Sequence, residues 1–185
     1  MTQRRGDEHA CGSLNGDAYA GQDFLMRYII REKFFRLTED SVIQDERGAP
    51  IYQVKGKIFS LHHTLVLMDL AGNELATVNK QIISLTPKFH ITRHGEEAAT
   101  VRKKLLSPFV DRFTVDIPGP DDLHVTGSIF EHNFTIERKG NVAATVSKRW
   151  VALTDTYGVE TAAGEDDILI LAVVLAIDLT EDAEK

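Results

Sequence analysis

Ten apolar residues stand in a row near the end of the chain: Ile168-Leu169-Ile170-Leu171-Ala172-Val173-Val174-Leu175-Ala176-Ile177. Glu165, Asp166 and Asp167 precede them and Asp178 follows. A helix of this sequence is apolar on every side, so it must be enclosed rather than laid on a surface. Ten residues are too few to span a bilayer, which takes about 20. Whatever else the 185-residue chain builds, it must surround a helix. The three acidic residues suit the positive N-terminal end of that helix. Asp178 stands at the wrong end for this effect, and is expected to meet solvent or a basic partner.

The middle of the chain repeats. Gly48, Gly72, Gly95, Gly119 and Gly140 are each followed six residues later by a valine: Val54, Val78, Val101, Val125 and Val146. Successive glycines are 24, 23, 24 and 21 residues apart, the spacing of a repeated supersecondary unit. Short runs rich in Val, Ile, Thr and Phe flank each glycine, such as Leu65-Val66-Leu67-Met68 before Gly72 and Glu74-Leu75-Ala76-Thr77-Val78 after it. These are β-hairpins, with glycine at turns that need positive φ. Lys80, Lys103 and Lys148 fall two places after a repeat valine. A regular strand puts them on the valine's face, and a bulge would turn them outward.

Five hairpins supply ten strands. Arg27–Arg31 and Phe34–Leu37 are counted as two more, and Tyr157–Thr161 continues or extends the last arm. A sheet of about twelve antiparallel strands tends to close, which removes its edges. A barrel of that width has a lumen to fill, and a helix about 10 Å across fills it. About 12 helical residues rise roughly 18 Å, and six strand residues roughly 20 Å, so the lengths match. The expected architecture is mainly β: a closed antiparallel barrel of about twelve strands around a central hydrophobic C-terminal helix. Residues 1–24 read as a polar tail without a signal peptide, 25–180 as the barrel domain, and 181–185 as an acidic tail.

Several segments resemble the LURP-one-related family, which shares the Tubby C-terminal-like fold. They are Arg31-Glu32-Lys33-Phe34-Phe35, Tyr52-Gln53-Val54-Lys55-Gly56-Lys57 with Ile58-Phe59-Ser60, Ala144-Thr145-Val146-Ser147-Lys148-Arg149-Trp150, Asp155-Thr156-Tyr157-Gly158-Val159, and the apolar run closing on Ile177-Asp178. Their order and spacing extend from about Tyr28 to Leu179. The resemblance implies a twelve-stranded barrel around a C-terminal helix. It implies little chemistry. Proteins of related fold, Tubby and the phospholipid scramblases, suggest a lipid partner by analogy of fold, and fold alone does not fix function.

Charge is unevenly placed. The net charge is −7, yet Asp155–Lys185 alone carries nine acidic residues and one basic. Between Asn79 and Arg112 the sign reverses: Lys80, Lys88, Arg93, Arg102, Lys103, Lys104 and Arg112 stand against Glu96, Glu97 and Asp111. These seven basic residues are the candidate binding residues, suited to an anionic partner such as a membrane phospholipid headgroup. The ordinary alternative is a solvated sheet face.

No Gly-x-Ser-x-Gly elbow, phosphate loop or dinucleotide fingerprint is present. No catalytic residue, cofactor or metal site is indicated. The seven histidines are scattered and read as structural or surface residues; His124 and His132 lie on neighbouring runs but lack further ligands. Cys11 reads as an inert tail thiol, Trp150 as a core or barrel-end anchor, and Asp155 as closing a turn beside Tyr157. A single cysteine favours a reducing compartment. The chain is therefore expected to be a non-enzymatic cytoplasmic protein, peripheral to the membrane if lipid is its partner. Nucleic acid is not an expected partner for an acidic chain without a recognition motif. Two other readings stay open: a scaffold module binding a protein partner, and an enzyme with a pocket at one barrel mouth.

Overall fold

The computed structural model describes residues 24–31, 41–59, 62–81, 88–104, 110–119, 121–148 and 156–181. Twelve strands lie in this order: β1 (Phe24–Arg31), β2 (Ser41–Asp45), β3 (Pro50–Phe59), β4 (His62–Asp69), β5 (Glu74–Gln81) and β6 (Lys88–Arg93). They continue as β7 (Glu96–Lys103), β8 (Asp111–Asp116), β9 (Leu123–Ser128), β10 (Asn133–Arg138), β11 (Asn141–Ser147) and β12 (Thr156–Ala162). The single helix α1 (Asp167–Glu181) follows. Each strand pairs antiparallel with its sequence neighbours, and β1 pairs with β12 to close the barrel.

The glycine–valine repeat is the hairpin unit. Gly48, Gly72, Gly95 and Gly140 have φ between 77° and 88°, and Gly119 has φ 130°. All five repeat valines are buried, at 1% exposure or less. Four of them face an inward residue across their hairpin: Val78 opposite Leu65, Val101 opposite Phe89, Val125 opposite Phe113, and Val146 opposite Phe134. Register shifts in four hairpins (at Ile43/Gln44, Leu67/Met68, Ile91/Thr92 and Ile136/Glu137) mark bulges beside the turns. In two of the turns an aspartate carboxylate caps the loop. Asp45 Oδ1 accepts from the backbone N–H of Ala49 at 2.8 Å, and Asp69 Oδ1 from that of Asn73 at 2.8 Å.

The twelfth strand is not the one expected. Tyr157–Thr161 is the heart of β12, a full strand between β11 and β1, rather than an extension of the last arm. Phe34–Leu37 lies outside the described residues, as do Cys11, Trp150 and Asp155.

The helix passes through the lumen as expected. Every residue from Ile170 to Ile177 is 0% exposed, and α1 packs with the inward side chains of the strands in one core. Its 15 residues exceed the expected 12 by nearly a turn and rise roughly 22 Å. Asp166 is its N-cap: the carboxylate accepts from the backbone N–H of Leu169 at 3.1 Å, and the Asp166 carbonyl accepts the first helical bond from Ile170 at 2.9 Å.

Candidate functional site

The helix start is tied to the glycine-turn end of the barrel by three carboxylates. Asp166 pairs with Arg93 of β6. Glu165 takes the Arg138 guanidinium of β10 at 3.0–3.2 Å. Asp167 accepts hydroxyl bonds from Tyr28 of β1 at 2.8 Å and Thr161 of β12 at 2.6 Å. Burial, and then the hydrogen bond to Asp167, push the Tyr28 hydroxyl well above the ordinary tyrosine range. The acidic cluster before the helix thus serves as a structural clamp, beyond its favourable place on the helix dipole.

Polar residues also gather at the opposite mouth, where α1 ends. Asp178 does not face solvent; it is 5% exposed. Its carboxylate accepts a hydrogen bond from the buried Tyr157 hydroxyl, and the His132 imidazole lies 3.5 Å away. His132 stacks on Tyr157 with ring centroids 4.4 Å apart. Sequence reading missed this cluster. His132 comes from the turn after β9 and Tyr157 from β12, so only barrel closure brings them to the helix end. His124 and His132 are not brought opposite each other: His124 is opposite Glu137 within the β9–β10 ladder, and His132 lies in the turn beyond its Ser128–Asn133 end.

The seven candidate cations separate by strand parity and by end. Arg93 stands at the turn end and belongs to the clamp. Lys80 is directly opposite Phe89, and Lys103 opposite Phe113, in unbroken register. Both therefore keep the inward face of the repeat valines, at the mouth where the negative end of the helix dipole lies. Lys103 is 17% exposed and 3.4 Å from Asp111. Lys148 follows the end of β11 and is exposed.

The remaining four share one stretch of outer wall. Lys88 of β6 is directly opposite Arg102 of β7. One step further, the backbone N–H of Lys104 donates to the carbonyl of Arg112 on β8 at 2.8 Å, which sets these two residues opposite each other. Arg102, Lys104 and Arg112 are exposed and Lys88 is partly so. Arg102 and Lys104 are separated by about 7 Å along the strand, and neighbouring strands by about 5 Å. The four cations therefore fit within a patch roughly 15 Å across. Arg102 pairs with Asp116 at 2.8 Å. Among the described residues, no carboxylate lies within ion-pair reach of Lys88, Lys104 or Arg112.

Elsewhere on the barrel, cross-strand neighbours of opposite sign are used. Arg27 is opposite Glu160 and its Nε donates to that carboxylate at 2.7 Å; at the turn end of β6 and β7, Arg93 is opposite Glu96. Two facing pairs of like charge set the β6–β8 wall apart from these. No group of three or more metal-ligating side chains is present among the described residues, and no helix there is long and apolar enough to cross a membrane.

Comparison with known proteins bears on the family and the fold. The family model described as LURP-one-related matches residues 26–178. The Bacillus subtilis (strain 168) protein named "Uncharacterized protein YxjI" is 24% identical over 155 residues, covering 84% of this chain and 93% of its own. The X-ray structure of a protein from Arabidopsis thaliana superposes with a TM-score of 0.60 at 18% identity. That match covers 86% of this chain and 91% of the plant protein, and it supports the likeness of fold.

Proposed function

We propose that this chain, which belongs to the LURP-one-related family, is a non-enzymatic barrel that docks on anionic phospholipid headgroups through Lys88, Arg102, Lys104 and Arg112. The observation that carries the reading is the pair of like-charge facings on one wall, Lys88 with Arg102 and Lys104 with Arg112. Like charges directly opposite on a sheet cost roughly 0.2–1 kcal/mol per pair. A layer of phosphates turns that cost into attraction. Each cation near an anionic bilayer contributes about 1 kcal/mol, so the three without a carboxylate in reach favour binding by roughly a hundredfold, and Arg102, which shares Asp116, adds less. Inside the barrel, α1 occupies the lumen from Ile170 to Ile177.

Co-sedimentation with vesicles tests this directly. The protein is expected to pellet with phosphatidylcholine vesicles that contain phosphatidylserine, and to stay in solution with phosphatidylcholine alone. Salt near 1 M, where the screening length is about 3 Å, releases it. Equal pelleting with both vesicles, or pelleting that salt does not change, contradicts the reading.

A further inference from the structure

We propose that Phe130 is a membrane-inserting anchor beside this wall, an inference that rests on the lipid-docking reading and names where the bilayer is entered. Phe130 is 72% exposed at the tip of the turn between β9 and β10. The turn is held from both sides. Ile129 is 4% exposed, and its backbone N–H donates to Asp111 Oδ2 at 3.2 Å. His132 is 6% exposed, its N–H donates to the Ile129 carbonyl at 2.8 Å, and its ring stacks on Tyr157. The phenyl ring is thus held outward by buried neighbours, not left out by a loose loop.

Its position matches the cations. Asp111, which holds the turn, is opposite Gly127, and Arg112 is opposite Thr126 on the adjacent rung. Phe130 and the Lys104–Arg112 pair therefore share one rim of the barrel. A lone exposed hydrophobe needs no explanation in general. One fixed at a rim that also carries four cations has the composition of an interfacial anchor: an apolar group to enter the acyl boundary and basic groups to meet the headgroups. Glu131, exposed beside it, is the acidic member of the turn. Leu70 is 54% exposed, but it lies in the β4–β5 turn at the opposite end.

The test uses the full chain in a Cys11→Ser background, with an environment-sensitive fluorophore on Phe130→Cys or, as control, on Leu70→Cys. On vesicles of phosphatidylcholine with phosphatidylserine, the label at 130 is expected to shift to the blue and the label at 70 to stay unchanged. Phe130→Glu, which should melt with the parent because the side chain is exposed, is expected to bind these vesicles about tenfold more weakly, and Phe130→Leu nearly as well as the parent. If vesicles are bound in a salt-dependent way but the 130 label is silent and Phe130→Glu binds like the parent, the anchor is refuted and the cationic wall stands. If no vesicles containing phosphatidylserine are bound, both fail together.

Discussion

At Gly127 the barrel leaves no room for a side chain. A Cβ there would lie 2.5 Å from the Asn133 carbonyl oxygen and 2.5 Å from Phe134 Cα, and φ is 153°. Gly95, at φ 82°, has nothing within 4 Å of the same added atom. Gly127→Ala is therefore expected to cost on the order of 3 kcal/mol or more, because backbone must move, and Gly95→Ala about 1 kcal/mol, for its φ alone. Urea unfolding of the two variants checks the order; equal losses contradict it. Tyr28 gives a second residue-scale test. Its raised pKa means that the folded state holds the phenolic proton more tightly than the unfolded chain. That contribution is complete below the unfolded value of about 10. It declines above that value by about 1.4 kcal/mol per pH unit, until the folded group titrates. Tyr28→Phe is expected to flatten the alkaline limb of stability against pH by this one-proton slope. Tyr52 is also pushed up by burial, and Tyr28→Phe removes the Tyr28 hydrogen bond that lowers it, so Tyr52 stays on the raised side. An unchanged slope contradicts the assignment.

Among the elements, α1 matters most to the fold. Leu171, fully buried inside the barrel, is expected to cost about 2–5 kcal/mol as Leu171→Ala, and neither Leu171→Asp nor Val173→Asp should fold. Asp166→Ala removes the cap and the Arg93 pairing, with an expected loss of about 1–2 kcal/mol by thermal or urea unfolding. A Leu171→Asp variant as stable as its parent would mean that the helix is not sheathed. The hairpins were legible because their signals are local: a glycine in positive φ, then a valine six places on whose side chain must point inward. The closing strand was less so. From Thr156 to Thr161 every residue of β12 is buried, so the alternation that marks a half-exposed strand is missing. Its partner β1 lies at the other end of the chain. For Asp178 the sequence left solvent or a basic partner open; it is buried, and Tyr157 and His132 reach it only after closure.

For the whole molecule, a run of cations in sequence is not a surface until strand parity and barrel end are known. The window from Asn79 to Arg112 holds seven basic residues, and the barrel sends them to different places. Arg93 clamps the helix start, Lys80 and Lys103 line the inner rim, and four share the outer wall. Bulges beside the hairpin turns made the parity of any one lysine uncertain from sequence alone. The measurement that tests the functional account most directly is vesicle affinity after neutralising the wall. Lys88→Gln/Arg102→Gln/Lys104→Gln/Arg112→Gln is compared with Arg47→Gln/Lys139→Gln, which removes charge at the turn end. The wall variant, folded and as stable as its parent, is expected to lose phosphatidylserine-dependent binding, and the turn-end variant to keep it. A wall variant that binds these vesicles as tightly as its parent would contradict the account.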